Sequence, residues 1–201
     1  DGGLDGNALT GTADFFVTKY NSAGAKQWTR QLGVAAATTW AYAVATDSSS
    51  NVFVVGFTEG NLDGNVRVGT QDLFITKYDS TGTKQWTKAL GTAACWAGAR
   101  GAATDASGNI FATGTTNGPL DGIAMPGSNH VFVVKYDSTG AKQWTRLNGM
   151  AGLATEGLAA GVNSSGSVFI AGKTEAGLDG NTATGMWDFF VTKYDTLGVK
   201  Q

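Results

Sequence analysis

The sequence predicts an all-β fold made of four-stranded antiparallel blades, as in a β-propeller. Three observations support this prediction. Lys19, Lys77, Lys135 and Lys193 stand 58 residues apart in nearly identical segments, without insertion or deletion. Each full repeat holds four short runs rich in Val, Phe, Thr, Trp and Tyr, with turn residues between them. No segment has a sustained helical period, and four strands in a repeat of this length are typical of a propeller blade.

The second copy shows the four predicted strands, at residues 42–47, 51–58, 73–78 and 84–90. In the third of these strands Leu73 and Ile75 point to one side, whereas Phe74 and Tyr78 point to the other. A sheet with one wet face would alternate apolar and polar residues. Both faces here are largely apolar, so we expect blades that pack face to face and bury both sides.

Glycines mark the predicted turns. One glycine recurs between the third and fourth strands, where a positive φ is expected, at Gly24, Gly82, Gly140 and Gly198. Between the first and second strands Gly108 and Gly166 recur, but Ser50 holds that position in the first full unit. If the position is left-handed, serine costs roughly 1 kcal/mol relative to glycine. The sequence therefore predicts that Ser50→Gly stabilises the protein.

Composition narrows the function classes. Charged residues make up 15% of the chain, below the usual roughly 25%, and the net charge is −2. This balance gives no basic surface for nucleic acid. No run of about 18 apolar residues is present to span a membrane. The single Cys95 excludes an internal disulfide and a cysteine-based zinc cluster. Low charge with many Gly, Ser, Thr and Asn favours a secreted or surface β-protein.

The repeat also resembles a known family. The chain is similar to the bacterial SBBP-type β-propeller repeat in three segments. These are A-x-A-V-A-T-D-S-S-x-N-V-F-V-V-G-F-T at residues 41–58, L-D-G-N at 62–65 and D-x-F-x-T-K-Y-D-S-x-G-x-K-Q-W at 72–86. The likeness covers essentially the whole chain. It implies propeller blades in bacterial surface or secreted proteins, and it supplies no catalytic residues. By analogy with related repeats, the first strand of each unit is innermost and the fourth is outermost.

This order of strands divides the chain into four parts. Residues 1–40 give the third and fourth strands of an opening half-blade, 41–98 and 99–156 give two blades, and 157–201 give an incomplete blade. Because propellers close with about four to eight blades, about three and a half cannot close a ring alone. We expect either a fragment of a longer propeller, the interpretation favoured because both ends cut a motif, or copies that assemble. The expected partners are other blades of the same protein or further copies of the chain, with glycans or surface proteins as further candidates.

Successive connections in an antiparallel blade alternate between its two ends. The long loops 59–71, 117–129 and 175–187 therefore lie at the same end as the blade-to-blade links. Loops of this length are uncommon unless they bind something. The departures from the repeat fall on the same side, and they are the candidate ligand- or partner-binding residues Trp40, Trp96, Arg100, His130 and Trp187. The alternative is that the loop sequences vary because no contact or function constrains them. We expect His130 to be a surface residue where other copies have aspartate.

A calcium site is one interpretation of the recurring L-D-G-N element, because its D-x-N spacing also begins calcium loops. The candidate ligands are Asp5, Asn7, Asp63, Asn65, Asp179 and Asn181. The only other recurring acid is Asp72, and His130 replaces it in one copy. The alternative is a buried leucine followed by an Asp-Gly turn, in which the carboxylate caps backbone N–H groups.

The recurring lysines and tryptophans are also candidates for chemistry. We expect the lysines to pair with a carboxylate at a strand end, such as Asp47 or Asp105. The tryptophans Trp28, Trp86 and Trp144 could stack on sugars, but packing between blades is the favoured interpretation. His130 is the only histidine. A catalytic triad would need a matching nucleophile, and a zinc site would need more ligands than one distant cysteine, so neither is predicted.

The sequence thus favours a non-enzymatic extracellular or cell-surface β-propeller that acts as a scaffold, adhesion or interaction module of a bacterium. The alternative is a carbohydrate-binding propeller with one site per blade. A fragment of a propeller enzyme is the least supported hypothesis, since no asymmetric cluster of acids and histidines is present. No cofactor is expected apart from the calcium interpretation.

Overall fold

We describe residues 3–124 and 129–201 of the chain in a computed structural model. Their strands, in chain order, are β1 (Phe15–Tyr20), β2 (Lys26–Leu32), β3 (Thr39–Thr46), β4 (Val52–Thr58), β5 (Asp72–Tyr78), β6 (Lys84–Leu90), β7 (Ala97–Thr104), β8 (Ile110–Thr116), β9 (His130–Tyr136), β10 (Lys142–Asn148), β11 (Thr155–Val162), β12 (Val168–Thr174) and β13 (Asp188–Tyr194). Short 3-10 turns lie at Leu62–Gly64 and Leu178–Gly180. In the part described, no helix has the length and apolarity needed to cross a membrane.

The strands form four separate antiparallel sheets. The half-blade holds β1 and β2, blade A holds β3–β6, blade B holds β7–β10, and blade C holds β11–β13. In each sheet the strands follow one another in sequence order, so every connection is a hairpin. The predicted all-β architecture of four-stranded propeller blades in a partial, unclosed ring is confirmed.

The three inner strands lie side by side, because β7 contacts both β3 and β11. Each inner strand begins earlier than the sequence suggested. Thr39 pairs with Thr58 at the start of blade A, and their hydroxyl groups lie 3.1 Å apart. Trp40 is consequently the second residue of β3 and not part of the link that precedes this strand.

A β-bulge interrupts each inner strand. In β3 the register runs from Ala41 opposite Gly56 directly to Ala43 opposite Val55, which leaves Tyr42 unpaired. The same shift leaves Arg100 unpaired in β7 and Leu158 unpaired in β11. Bulges turn a side chain away from the regular pleat. The three inner strands therefore each present one extra side chain outside the sheet.

A separate apolar core fills each junction between neighbouring blades. Leu73 and Ile75 belong to the core between blades A and B, together with Phe132 of β9. Phe74 and Tyr78, on the other side of the same strand, belong to the core between the half-blade and blade A. A third core joins blades B and C. Both faces of blade A are therefore buried, as the strand pattern predicted.

The turns have the conformations that their residues predicted. Ser50 has a φ of 60°, close to the 75° of Gly108 and the 80° of Gly166 at the equivalent turns. The Asp47 carboxylate accepts the backbone N–H groups of Ser49 and Asn51, both at 2.9 Å. Ser50 is therefore in the left-handed region, in a turn that its neighbours hold in place.

Candidate functional site

A polar latch repeats at each junction between blades. At the junction of blades A and B, Lys77 Nζ donates a hydrogen bond of 2.9 Å to the carbonyl oxygen of Ser138. The indole Nε1 of Trp86 donates to the same oxygen at 3.3 Å. Ser138 lies in the turn between β9 and β10, so both donors reach from blade A to a hairpin turn of blade B. We call this pair of contacts the latch.

The latch has the same form at the other two junctions. Lys19 and Trp28 of the half-blade donate to the Ser80 carbonyl at 2.9 and 3.2 Å. Lys135 and Trp144 of blade B donate to the Thr196 carbonyl at 3.4 and 3.2 Å. The recurring lysines and tryptophans therefore hold neighbouring blades together, and the tryptophans pack between blades as predicted.

Lys135 also confirms a predicted ion pair. Its Nζ lies 3.8 Å from an Asp105 carboxylate oxygen, and both side chains are almost fully buried. The ammonium group of Lys135 also lies 5.0 Å from the centroid of the Phe111 ring. A buried ammonium group needs partners of this kind, since isolated burial of a charge is unfavourable. Lys135 therefore makes three structural contacts, with the Thr196 carbonyl, the Asp105 carboxylate and the Phe111 ring.

The L-D-G-N element forms a tether between a long loop and the outer strand of the same blade. Leu62 is buried, and Asp63 and Gly64 both have positive φ, at 53° and 80°. The Asp63 carboxylate bonds the Lys84 ammonium group of β6. Asn65 Nδ2 donates to the carbonyl oxygens of Leu62 and Thr87, at 2.9 and 3.2 Å. The loop is therefore tied to β6 by both of its polar side chains.

The other copies of the element repeat this tether. Asp5 bonds Lys26 at 2.5 Å, and Asp179 bonds Lys200. Asn7 and Asn181 donate to the leucine carbonyls of their own loops, both at 2.8 Å. The lysine hydrogen bond holds the pKa of the Asp5 carboxyl below its usual value. Burial raises the pKa of Asp63, but hydrogen bonds from Lys84 and Thr87 leave it lowered overall.

These contacts bear on the calcium interpretation. The six candidate residues do lie in equivalent loops, but each carboxylate faces a lysine and each amide nitrogen faces the backbone. Among the residues described, no group of three or more His, Cys, Asp and Glu side chains is placed to hold a metal ion. Calcium binding stays a prediction, and it would require the ammonium group to leave the carboxylate. A calcium titration of thermal unfolding tests it.

Asp72 anchors the long loop that precedes it. Its carboxylate accepts the N–H groups of Val68 and Gly69, at 2.8 and 2.7 Å, and the side chain is 1% exposed. Gly91 makes room for it, because a Cβ atom at Gly91 would lie 1.8 Å from Asp72 Oδ1. Asp72 therefore serves the loop backbone, which accounts for its recurrence without a metal.

The expectation that His130 lies on the surface is wrong. His130 is 0% exposed and occupies the place that Asp72 holds in blade A. A Cβ atom at Gly149 would lie 2.7 Å from His130 Nδ1, so a glycine makes room for it as Gly91 does for Asp72. His130 is the first residue of β9 and pairs with Thr116 of β8. Residues 125–128, in the loop that precedes it, lie outside the described part of the chain.

Two of the predicted binding residues meet in an exposed group that we call the rim cluster, made of Trp40, Tyr42, Phe57 and Arg100. The ring centroids of Trp40 and Phe57 lie 5.5 Å apart, and those of Tyr42 and Phe57 lie 5.9 Å apart. The Arg100 guanidinium carbon of blade B lies 5.0 Å from the centroid of the Tyr42 ring of blade A. The cluster therefore spans the junction of these two blades.

The rim cluster has a buried base and an exposed top. Phe57 is 7% exposed, whereas Trp40 is 50% exposed and Tyr42 is 42% exposed. Trp40 stands opposite Phe57 in the ladder of β3 and β4, and the bulges place Tyr42 and Arg100 beside them. Gly98 of β7 lies beside Phe57, because a Cβ atom at Gly98 would be 3.8 Å from Phe57 Cβ. Aromatic faces and a cation are thus presented together to solvent.

No second rim cluster is present in the residues described. Gly98 and Thr115 hold the equivalent positions of blade B, and Glu156 and Lys173 hold them in blade C. Lys173 Nζ lies 3.4 Å from the Glu156 carboxylate and 4.1 Å from the centroid of the Trp187 ring. Trp187 therefore belongs to a separate group on blade C.

Trp96 lies apart from both of these groups. Its backbone N–H donates to Asn117 Oδ1 at 2.6 Å, and its side chain is half-buried. Tyr42 and Phe57 were not among the predicted site residues. The exchange of tyrosine for arginine at positions 42 and 100 was the available signal for the first of them.

One family model agrees with the fold. Residues 27–63 match the family model SBBP, described as a beta-propeller repeat. The chain is 27% identical over 171 residues to the regulatory protein FlaEY of Caulobacter vibrioides, an alignment that covers 76% of this chain and 18% of that protein. The chain thus spans less than a fifth of the length of this relative.

One solved structure, a protein of unknown function from Bacteroides caccae, aligns with 93% of this chain and 92% of its own, at 9% identity and a TM-score of 0.34. The matched residues cover most of β2 in the half-blade, β3 and β4 of blade A, and the start of the L-D-G-N element of blade A. The remaining blades repeat the same residues at the same spacing. The resemblance is confirmed at residues 27–63, which match the SBBP β-propeller repeat.

Proposed function

We propose that the protein is a non-enzymatic interaction module, outside the cell or on the surface of a bacterium, that binds a protein partner through the rim cluster. One observation carries the proposal. Most recurring polar side chains serve blade-to-blade or loop contacts, whereas Trp40, Tyr42 and Arg100 break the repeat and face solvent. Trp, Tyr and Arg are the residues enriched at the energetic centres of protein interfaces.

The same contacts argue against catalysis. Lys77 and Trp86 hold the next blade, Asp63 is paired with Lys84, and Asp72 caps a loop. A catalytic base or nucleophile must be free to reach a substrate proton or an electrophilic atom. The recurring candidates are occupied, and recurrence once per blade is itself typical of a structural role.

Two further lines support the proposal. The relative from Caulobacter vibrioides is named as a regulatory protein, and a regulatory role without catalysis depends on binding to other molecules. Low charge together with a Gly-, Ser- and Thr-rich composition supports the extracellular or surface location. The location is tested by adding protease to intact cells that produce the tagged chain. Cleavage supports the location, and full protection contradicts it.

A photo-crosslinking residue tests the binding surface. We place p-benzoylphenylalanine at Trp40 in the rim cluster and, as a matched control, at Val66, an exposed residue of a long loop. The proposal predicts a defined crosslinked protein product from position 40, absent from position 66 and weakened by Arg100→Ala. Identical products from the two positions, or no product from position 40, would contradict it.

Carbohydrate binding is the second candidate, and the half-exposed Trp40 beside Arg100 favours it. Aromatic faces stack on sugar rings, and a guanidinium group donates to their hydroxyls. The site would be single, because the equivalent positions of blades B and C hold other residues. A broad glycan array with the native chain and Trp40→Ala decides between the candidates. Glycan binding by the native chain that Trp40→Ala loses favours the carbohydrate site. If the native chain binds no glycan, the protein partner is favoured.

A further inference from the structure

We propose that the rim cluster recognises an acidic segment of its protein partner, in which an aspartate or glutamate carboxylate accepts hydrogen bonds from Arg100 and an adjoining apolar side chain packs on Trp40. This inference rests on the proposed function and deepens it by giving the chemistry of the partner. The cluster lies where two complete four-stranded sheets meet, blade A and blade B, with an apolar core between them.

Arg100 differs from the other arginines of the chain. Arg30 and Arg146 each donate to a carbonyl oxygen in a turn of the next blade, at 2.6 and 2.7 Å. Arg67 donates to a carbonyl oxygen of its own loop at 2.8 Å. Within the part of the chain described, Arg100 donates no hydrogen bond, and its contact is with the ring of Tyr42. A guanidinium group has five N–H donors, and here they remain available to an acceptor from outside the chain.

The strands on either side of Arg100 bring no carboxylate to it. On the side of blade A its guanidinium carbon lies 5.0 Å from the centroid of the Tyr42 ring. On the side of blade C the equivalent bulge residue is Leu158, which is apolar and exposed. Glu156 of the same strand lies 3.4 Å from Lys173 Nζ and is therefore already paired. The charge of Arg100 thus has no carboxylate partner among the described residues.

The polar groups at the exposed top of the rim cluster are hydrogen-bond donors. Trp40 carries an indole N–H, Tyr42 an O–H and Arg100 its guanidinium N–H groups. The indole groups of the latch donate to carbonyl oxygens, but that of Trp40 donates to no residue in the described ranges. An ionised carboxylate only accepts hydrogen bonds, and it pairs with arginine through two parallel bonds. A carboxylate is therefore the group that complements this set of donors and its positive charge.

The charge of the rim cluster favours a carboxylate over a phosphate group. The cluster holds one guanidinium group and no second cation, which matches a single negative charge. A phosphorylated side chain carries nearly two negative charges at neutral pH and is typically bound by a group of arginines. The lysine on blade C, Lys173, lies with Glu156 and Trp187 in a separate group.

The aromatic part of the cluster accounts for the apolar neighbour of the acid. Trp40 rests on Phe57, with ring centroids 5.5 Å apart, and half of its surface remains exposed. An apolar side chain packed on this indole buries area on both partners. It also keeps water from the nearby ion pair, and an ion pair is stronger where less water surrounds it. The expected segment therefore carries an apolar residue next to its acid.

Selection of a random peptide library on the native chain tests the inference without a known partner. We expect the selected peptides to carry aspartate or glutamate next to an apolar residue. One selected peptide is then synthesised with its acid and with the neutral amide in its place, and fluorescence anisotropy measures the binding of both. The amide should bind the native chain about 30-fold or more weakly than the acid, as for loss of one partner of a hydrogen-bonded charge pair. With Arg100→Ala the two peptides should differ by less than about twofold, because the cycle of two changes isolates this pair.

Two further variants serve as comparisons, and thermal unfolding checks that each variant folds. Arg67→Ala is the matched control, because it removes the same charge from another exposed arginine, and it should bind the acidic peptide as the native chain does. Trp40→Ala should weaken the binding of both peptides, since it removes the apolar contact and leaves Arg100 in place.

Four results overturn the inference. They are a selection that enriches no peptide, selected peptides without an acid, an equal loss from the amide on the native and Arg100→Ala chains, and tighter binding of a phosphoserine peptide than of its glutamate counterpart. The crosslink from position 40 does not require an acidic residue in the partner. If that crosslink forms while one of these four results is found, the proposed function stands and only this inference falls.

Discussion

Replacement of Ser50 by glycine should stabilise the protein. Ser50 has a φ of 60° in the turn between β3 and β4, where Gly108 and Gly166 stand in the following blades. A left-handed conformation costs an L-residue roughly 1–2 kcal/mol, which glycine avoids. Glycine also gives the unfolded chain more freedom, at a cost of about 0.4–1 kcal/mol. The expected net gain in the free energy of unfolding is about 0.5–1 kcal/mol.

The structure shows no contact that the substitution would remove. The backbone bond from Ser50 N to the Asp47 carbonyl oxygen, 3.0 Å, does not need the side chain. The side chain is exposed, and no hydrogen bond of its hydroxyl group is found among the described residues. For a domain of this size a gain of 1 kcal/mol raises the Tm by about 2–4 °C. We therefore expect a rise of about 1–4 °C, scaled from that relation.

Thermal and urea unfolding of three proteins make the test. Ser49→Gly is the matched control, because Ser49 is the preceding residue of the same turn and has no positive φ. It should lower stability by a few tenths to about 1 kcal/mol, as glycine does where no special conformation is needed. Gly108→Ser, the reverse change in blade B, should be destabilising. Equal effects of Ser49→Gly and Ser50→Gly would refute the reasoning.

Three other predictions concern the latch, the loop anchor and the buried tyrosines. Trp86→Ala removes an indole from the junction of blades A and B and should lower the free energy of unfolding in urea by about 3 kcal/mol. Trp40→Ala, at an exposed position, should lower it by less than about 1 kcal/mol. Similar losses in the two variants would contradict the latch. Asp72→Ala leaves two N–H groups unsatisfied and should cost about 2 kcal/mol, and an unchanged urea midpoint would show that the loop does not need this anchor. Burial raises the pKa of Tyr78, Tyr136 and Tyr194 to about 12, so these side chains stay neutral in the folded state while unfolded tyrosines ionise near pH 10. The contribution of the neutral tyrosines to the free energy of unfolding is complete below about pH 10 and is lost as the pH rises through 12. The loss should be smaller in Tyr78→Phe. A free energy of unfolding that does not change at alkaline pH would contradict this prediction.

The sequence predicts the strands, the turns and the two-sided burial because these depend on local patterns that the repeat states several times. The third strand shows both apolar faces within six residues, and Gly82 and its equivalents mark positive φ directly. The contact of Lys135 with Asp105 could also be anticipated, since both stand at strand ends of one blade. Repetition turns a weak signal at one position into a consistent one.

The rim cluster could be predicted only in part, because a bulge alters the side on which its residues lie. Simple alternation along β3 would place Trp40, Tyr42 and Val44 on one face. The bulge after Ala41 instead leaves Trp40 opposite Phe57 and Val44 opposite Val54, on different sides of the sheet. Nothing in the local sequence fixes the position of that bulge. The contact of Tyr42 with Arg100 depends further on how blades A and B meet.

His130 shows why a substitution within a repeat can mislead. An exchange of aspartate for histidine at the end of a loop suggested an exposed position, but the aspartate itself is buried. The glycine that follows the outer strand in each copy, Gly91 in blade A and Gly149 in blade B, makes room for the side chain. That recurring glycine was a signal of close packing.

The most direct test of the account is whether each tryptophan contacts the next blade. In each latch the indole Nε1 lies 3.2 or 3.3 Å from a carbonyl oxygen 52 residues further along the chain, at Ser80, Ser138 and Thr196. Nuclear Overhauser measurements on the isotope-labelled protein would detect proximity between each indole N–H and the protons of that turn. The account predicts three such cross-peaks, at the same repeat spacing. Indole protons that contact only their own sheet or solvent would contradict the stacking of blades on which the fold and the site rest.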